Sequence, residues 1–131
     1  MTLSRRLIDA LYSLRPRALP APVAHAARLH LLDAVGVGLG AAATQMGASY
    51  RRVARELAGA GDASVFGSDR AASADVAALI NGGLIHSLEY DDTHTASIVH
   101  GSAVLAATAL AVGQTCGASG EATLGAYARG W

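Results

Sequence analysis

Apolar side chains recur at helical spacing along most of the chain, beginning with its first segment. There Leu3, Leu7 and Leu11 fall on one face and Asp9 lies on the other, which predicts an amphipathic helix. The segment from Leu14 to Pro22 holds all three prolines, which interrupt a helix because proline has no amide hydrogen. The chain is therefore predicted to open with one helix followed by a break.

A second helix is predicted from Pro22 to about Ala43, and it is apolar almost all round, as in the middle of a helical layer. Gly36, Gly38 and Gly40 would let another helix approach it closely. The same glycines match a relaxed GxGxxA dinucleotide fingerprint, but that fingerprint follows a strand, whereas the preceding residues have helical periodicity. Close helix packing is the better interpretation.

The same apolar spacing predicts four further helices, and glycine-containing turns separate them. Ser73 is the predicted N-cap of the second of these four, with Asp75 in the first turn, where the helix dipole favours a negative charge. The predicted pieces are helices at about 49–58, 73–88 and 102–112 and a last helix around Leu124, Tyr127 and Trp131, with a brief extended piece at 63–66 and a turn at 67–70.

Composition favours this all-α interpretation, with about six helices. Apolar residues make up 52% of the 131 residues, largely as alanine, and only 5% of the chain is aromatic, which favours close packing of small-faced helices. The length is that of one ordinary domain, so we expect a single helical domain over residues 1–131.

Charge and cysteine content restrict the partners and the chemistry. The formal net charge is zero and the ten basic residues, all arginines, are scattered, so no basic face for nucleic acid is expected. The lack of lysine excludes Schiff-base chemistry by this chain. Cys116 is the only cysteine, so no internal disulfide can form, and a cytoplasmic location is expected. The apolar runs 29–43 and 98–112 are shorter than the roughly 20 residues that a bilayer requires, so no membrane partner is expected.

Polar chemistry is concentrated between His86 and His100, in the connection between two apolar helices. This stretch contains three of the five histidines and three of the ten acids of the chain. Carboxylates beside imidazoles can act as general acid and base, because neighbouring charges and burial move their proton affinities toward neutrality. The stretch is therefore the candidate active site.

Two other interpretations of this stretch stay open. Asp91, Asp92, His94 and His100 have the donor types that bind zinc or harder metals, although no established metal signature fits their spacing. Alternatively, the acids form a turn and a helix cap with no chemical role. We expect no metal and no cofactor.

Residues 81–94 read Asn-Gly-Gly-Leu-Ile-His-Ser-Leu-Glu-Tyr-Asp-Asp-Thr-His and are followed by His100-Gly101. This closely resembles the signature of the MmgE/PrpD family, which includes 2-methylcitrate dehydratase and cis-aconitate decarboxylase. The Leu-Pro step at Leu19, the Leu-Leu-Asp-Ala-Val-Gly-Val run from Leu31 and the Gly-Ala-Ser-Gly turn at Gly117 are similar to further family landmarks, in the same order.

The resemblance implies the N-terminal part of a large helical domain, without the smaller α+β domain that accompanies it in the family, usually in a homodimer. It also implies lyase chemistry: a proton is moved next to a carboxylate while water or carbon dioxide leaves a small di- or tricarboxylic acid. By the same resemblance, the catalytic residues would be His100, Asp91 and Thr93, and the substrate-binding residues would be Glu89, Asp92, His94 and His86.

The chain also departs from the family pattern. Glu89 stands where aspartate is common and Gly101 where proline is frequent, and the family's further histidine, lysine and tyrosine lie beyond Trp131. Two hypotheses follow. The chain is a lyase in a homodimer or with a complementary chain, or it is a truncated or split piece that is inactive alone and serves as a subunit or remnant.

Overall fold

The structure, a computed structural model, describes residues 1–14, 19–57 and 60–131. The predicted break at Pro16 lies outside these ranges, as does the predicted end of the third helix at Ala58. In the described residues the elements are α1 (Leu3–Leu14), α2 (Ala21–Ala42), α3 (Gln45–Leu57), β1 (Ala63–Ser64), β2 (Ala71–Ala72), α4 (Ala74–His86), α5 (Gly101–Thr115) and α6 (Gly120–Gly130).

The all-α prediction with about six helices is confirmed. Helix α3 begins at Gln45, earlier than predicted, because Thr44 Oγ1 accepts a hydrogen bond from the Gly47 amide at 3.2 Å and so starts the helix. Ser73 stands at the predicted N-cap of α4, and its hydroxyl is the main cause that lowers the pKa of the exposed Asp75.

The extended piece predicted at 63–66 is half of a small hairpin. Ala63 pairs with Ala72 and Ser64 with Ala71, and the reversal between them uses Gly67 at φ 69°. The second strand was not predicted, because two residues are too few to show an alternating pattern.

Helices α4 and α5 pack against each other along faces of small residues. A Cβ placed on Gly82 would lie 2.8 Å from the Ala103 carbonyl oxygen, so the two backbones come too close for any side chain there. The core lies on both sides of this pair. One cluster joins α4 to α3 and the hairpin around Ile80 and Leu84, and the other joins α5 to α2 and α6 around Ala106 and Tyr127.

The glycines of α2 divide between two environments. A Cβ on Gly38 would lie 2.7 Å from the Phe66 ring and 3.1 Å from Ile85 of α4, so Gly38 does let another helix, and the end of the hairpin, approach closely. Among the described residues nothing lies within 4 Å of such an atom on Gly36 or Gly40, and the prediction is wrong for them. No single helix of the described residues is both long enough and apolar enough to cross a bilayer. Helices α2 and α3 meet both conditions only when they are taken together, and the chain bends by 92° between them.

Asn81 holds the hairpin onto α4. Its side chain is buried, accepts a hydrogen bond from the Phe66 amide at 2.9 Å and donates one to the Ser64 carbonyl at 2.8 Å. From the other side, Gln114 of α5 accepts from the Ser64 amide at 2.8 Å. The short hairpin is thus fastened to both central helices by side-chain amides.

We predict that Asn81→Ala lowers the free energy of unfolding by roughly 1–3 kcal/mol, because it removes two hydrogen bonds between a buried side chain and the backbone of the hairpin. Urea denaturation followed by circular dichroism measures this change. The matched control Gln45→Ala removes an exposed amide and should change the free energy by less than about 0.5 kcal/mol. Equal stability of the two variants would contradict the role given to Asn81.

Candidate active site

The polar connection begins where α4 ends at His86 and returns to α5 at Gly101. The Ser87 amide donates to the Gly83 carbonyl at 3.0 Å, and Glu89 then turns the chain with a positive φ of 55°. Residues 93–99 form an exposed excursion that His94 and Val99 close, since the His94 amide donates to the Val99 carbonyl at 2.8 Å. The anchored residues of the connection therefore lie on either side of this excursion.

The side chain of Asp91 is fully buried between two imidazoles. Its Oδ2 lies 3.2 Å from Nδ1 of His86, and its Oδ1 lies 3.2 Å from Nδ1 of His100. The two rings meet edge to face with their centroids 4.7 Å apart. His86 is 47% exposed in its side chain and His100 is 23% exposed, so the carboxylate lies beneath and the rings face outward.

The two imidazoles differ in how they meet this carboxylate. His86 makes a hydrogen bond to it, and because a carboxylate only accepts, the hydrogen is on Nδ1 of His86. His100 is close enough, but its Nδ1 is buried and lacks the alignment of a hydrogen bond to any group described. Asp91 therefore orients the ring of His86 and leaves an unmet hydrogen-bonding atom on His100.

Asp92 takes part in a second network, separate from that of Asp91. Its Oδ1 accepts from the Ser102 amide at 3.0 Å and its Oδ2 from the Ser102 hydroxyl at 2.6 Å. Nδ1 of His30, on α2, lies 3.1 Å from the same Oδ2. The carboxylate thus fastens the connection to the first turn of α5, where the helix dipole favours a negative charge.

This network continues into α6 with a fixed direction. The Ser102 hydroxyl donates to Asp92, so in its 2.6 Å contact with Tyr127 it accepts, and the tyrosine hydroxyl donates. Tyr127 in turn accepts from Nε1 of Trp131 at 3.1 Å. Burial raises the pKa of Tyr127 above its ordinary value, while its bonds with Ser102 and Trp131 oppose the shift. Nearby negative charge on Asp92 adds to the increase.

The structure gathers some of the predicted site residues and separates others. Glu89 borders the cluster of His86, Asp91 and His100, with its Oε1 3.5 Å from Nε2 of His86, and is 72% exposed. Asp92 belongs to the second network. Thr93 and His94 are exposed on the excursion, where Nδ1 of His94 lies 2.7 Å from the Ser97 hydroxyl.

Four residues that belong to these contacts were not predicted from the sequence as site residues. Tyr127 and Trp131 had been assigned to the last helix by their apolar spacing alone, and nothing in the spacing of His30 or Ser102 links them to Asp92. The position of His30 inside the apolar second helix suggests a polar contact, but the sequence does not indicate with which residue. Only the folded arrangement of α2, α5 and α6 joins them.

A groove of about 540 Å³ between α4 and α5 leads to the two imidazoles. Its walls are mostly apolar, and it contains Leu79 and Val104 as well as small residues such as Gly82 and Ala103. Among the residues described, no arginine lines it. One end of the groove therefore offers imidazoles to a ligand, and the rest offers apolar contact.

One group of three side chains in the described ranges has the donors for a metal ion. Donor atoms of His86, Asp91 and His100 lie within 4.8 Å of one another. Of the four residues suggested by the sequence, only Asp91 and His100 belong to this group, because Asp92 and His94 lie elsewhere. His86 was not in the suggested set.

Comparison with known proteins identifies the family. The MmgE/PrpD N-terminal domain matches residues 5–131. The chain belongs to the MmgE/PrpD family. The resemblance seen in the signature is thus confirmed, and the cluster around Asp91 lies within the domain shared by MmgE/PrpD proteins.

Among curated proteins, this MmgE/PrpD chain is similar to the cis-aconitate decarboxylase-like protein oryM of Aspergillus oryzae. The two are 32% identical over 92 residues, which are 70% of this chain and 19% of the relative. The aligned segment thus spans about a fifth of that relative's length. No solved structure matches the chain.

We predict that Tyr127→Phe lowers the free energy of unfolding at neutral pH by about 1 kcal/mol, because Ser102 loses a donor and Trp131 an acceptor. The substitution should also reduce the loss of unfolding free energy that occurs at alkaline pH. The unfolded chain loses the tyrosine proton near pH 10, while the folded chain retains it because its pKa is raised. Stability due to this group therefore falls as the pH rises above about 10.

Urea denaturation between about pH 9 and 11 measures this slope. The control Tyr90→Phe alters a tyrosine that is 77% exposed and should keep both the neutral stability and the alkaline slope. Indistinguishable slopes for the two variants would contradict the assignment to Tyr127.

Proposed function

We propose that this domain supplies the acid–base groups of a lyase that acts on a small di- or tricarboxylic acid, such as cis-aconitate or 2-methylcitrate. The observation that carries the proposal is the buried Asp91 carboxylate between the rings of His86 and His100. Membership of the MmgE/PrpD family supports lyase chemistry, and the similarity to a cis-aconitate decarboxylase-like protein of Aspergillus oryzae supports a substrate of this class.

His100 is the proposed acid–base residue. In a dehydration, a base takes a proton from the carbon next to a carboxylate, the carbon–oxygen bond breaks, and the departing hydroxyl leaves as water after it gains a proton. In a decarboxylation, carbon dioxide leaves and the carbon takes up a proton. Both reactions need a group that holds and releases a proton at a defined position, which a buried carboxylate beside an imidazole provides.

The other predicted residues have separate proposed roles. Asp91 orients the imidazoles, and Thr93 is the third member of the catalytic set. His86 and Glu89, at the edge of the groove, are proposed to contact the substrate's polar groups, as are Asp92 and His94. Of these, Asp92 already makes three contacts, two with Ser102 and one with His30, so the substrate would share its carboxylate with them.

The composition of the groove suggests that a second chain helps to bind the substrate. A di- or tricarboxylic acid carries several negative charges, whereas the described lining contains no arginine and the chain contains no lysine. Unpaired carboxylates are costly to remove from water. We therefore propose that a second copy, or a complementary chain, contributes the cationic groups. A cytoplasmic location, which fits the single cysteine, is part of the same proposal.

The alternative is a truncated or split family member that is inactive alone. We predict that the purified chain neither dehydrates 2-methylcitrate nor decarboxylates cis-aconitate, because no arginine lines the described part of the groove to pair with the substrate's carboxylates. Nuclear magnetic resonance detection of the products over several hours checks this. Turnover of either acid by the chain alone would show that its own residues suffice.

For an assembly that does turn over one of these acids, we predict that His100→Ala lowers kcat by about 10²–10⁴, as loss of a general acid or base does. The circular dichroism spectrum should be unchanged. The matched control His25→Ala removes an exposed imidazole from α2 and should leave kcat unchanged. An unaltered kcat in His100→Ala would exclude the acid–base role.

A further inference from the structure

We propose that His86, Asp91 and His100 form a binding site for a single divalent transition-metal ion of the Zn²⁺ type. The three side chains are two imidazoles and one carboxylate, the donor types that zinc binds most readily after thiolate. Their donor atoms lie within 4.8 Å of one another. The site goes beyond the proposed lyase activity, which requires no metal.

The distances within the cluster suit a common ion. Zinc bonds to nitrogen and oxygen are about 2.0–2.2 Å long, so neighbouring ligands in a tetrahedral site lie about 3.4 Å apart. Each of the two contacts between Asp91 and an imidazole Nδ1 is 3.2 Å. The ring of His86 is half exposed, so it can shift once zinc replaces its hydrogen bond to Asp91. The hydrogen then moves from Nδ1 to Nε2, which lies beside Glu89.

An independent observation points to a ligand at the same place. Nδ1 of His100 is buried and has no hydrogen-bond partner among the described groups, although it faces Asp91. A buried nitrogen without a partner destabilises the folded state, because it has lost its hydrogen bonds to water. An ion between this nitrogen and the carboxylate would give the nitrogen a partner and would neutralise the buried charge of Asp91.

The neighbouring acid does not compete for this role. Both oxygens of Asp92 are engaged by Ser102 and its Oδ2 also by His30, so these contacts hold its carboxylate in another network. The groove beside His86 and His100 leaves one side of the ion open. Three protein ligands and an open position are what a zinc site needs to accept water or a small anion.

The site also predicts inhibition, a consequence that rests on the proposed function. An imidazole nitrogen bound to zinc has no lone pair left to accept a proton. If His100 moves the proton, bound zinc stops the reaction, and a chelator restores it. Metal binding itself depends only on the three side chains and can be measured without turnover.

Isothermal titration calorimetry of the chain with ZnCl₂ tests the proposal. We expect one Zn²⁺ per chain, with affinity lowered roughly a hundredfold or more in Asp91→Asn and in His86→Ala, since losing even a supporting group costs 10–100-fold. The matched controls Asp69→Asn and His25→Ala change an exposed acid and an exposed imidazole and should bind as the parent does. No binding by the parent at about 1 mM Zn²⁺, or equal losses in the controls, would overturn the site.

A second measurement does not depend on how the variants fold. Titration of the ¹⁵N-labelled parent with ZnCl₂ should shift the imidazole nitrogens of His86 and His100 before those of His30 and His94. Shifts confined to His30 or His94 would overturn the assignment. If zinc binds as described and yet leaves the turnover of an active assembly unchanged, the metal site stands and the acid–base role of His100 fails. The two proposals are therefore separable.

Discussion

The close contact between α4 and α5 is the constraint on which the candidate site depends. Gly82 lets the two backbones approach until only a hydrogen atom fits beside the Ala103 carbonyl. His86 ends one of these helices and His100 precedes the other, so the same contact holds their rings 4.7 Å apart. Packing of small residues in the core thus sets the spacing of polar groups at the surface.

The adjacent carboxylates of Asp91 and Asp92 make different contacts. Asp91 lies under the imidazoles and provides a buried negative charge, while Asp92 fastens the connection to Ser102 and, through it, to Tyr127. The second thereby fixes the path of the chain on which the first stands, and links that path to α6 through Ser102 and Tyr127.

Much of the fold could be predicted from the sequence, because long amphipathic or apolar helices repeat their pattern over several turns. The six helices were predicted from this pattern and the N-cap at Ser73 from its residue type. The high density of acids and histidines indicated the cluster around Asp91. The features that were not predicted depend on contacts between distant segments. The two-residue strands are too short to show an alternating pattern of polar and apolar residues. His30 meets Asp92 only because α2 lies beside the start of α5. Likewise, no local sequence pattern predicts that the side chain of Asp92 contacts the helices while that of His94 is exposed.

The exposed excursion of residues 93–99 closes on itself through the contact between His94 and Val99, so its two ends do not rely on what lies between them. The positions of His86 and His100 are set by α4 and α5, so a change of sequence within the excursion leaves their spacing in place. Because Thr93 and His94, two of the proposed site residues, lie on the excursion, such a change would alter the groups around the imidazoles and keep the imidazoles themselves where they are.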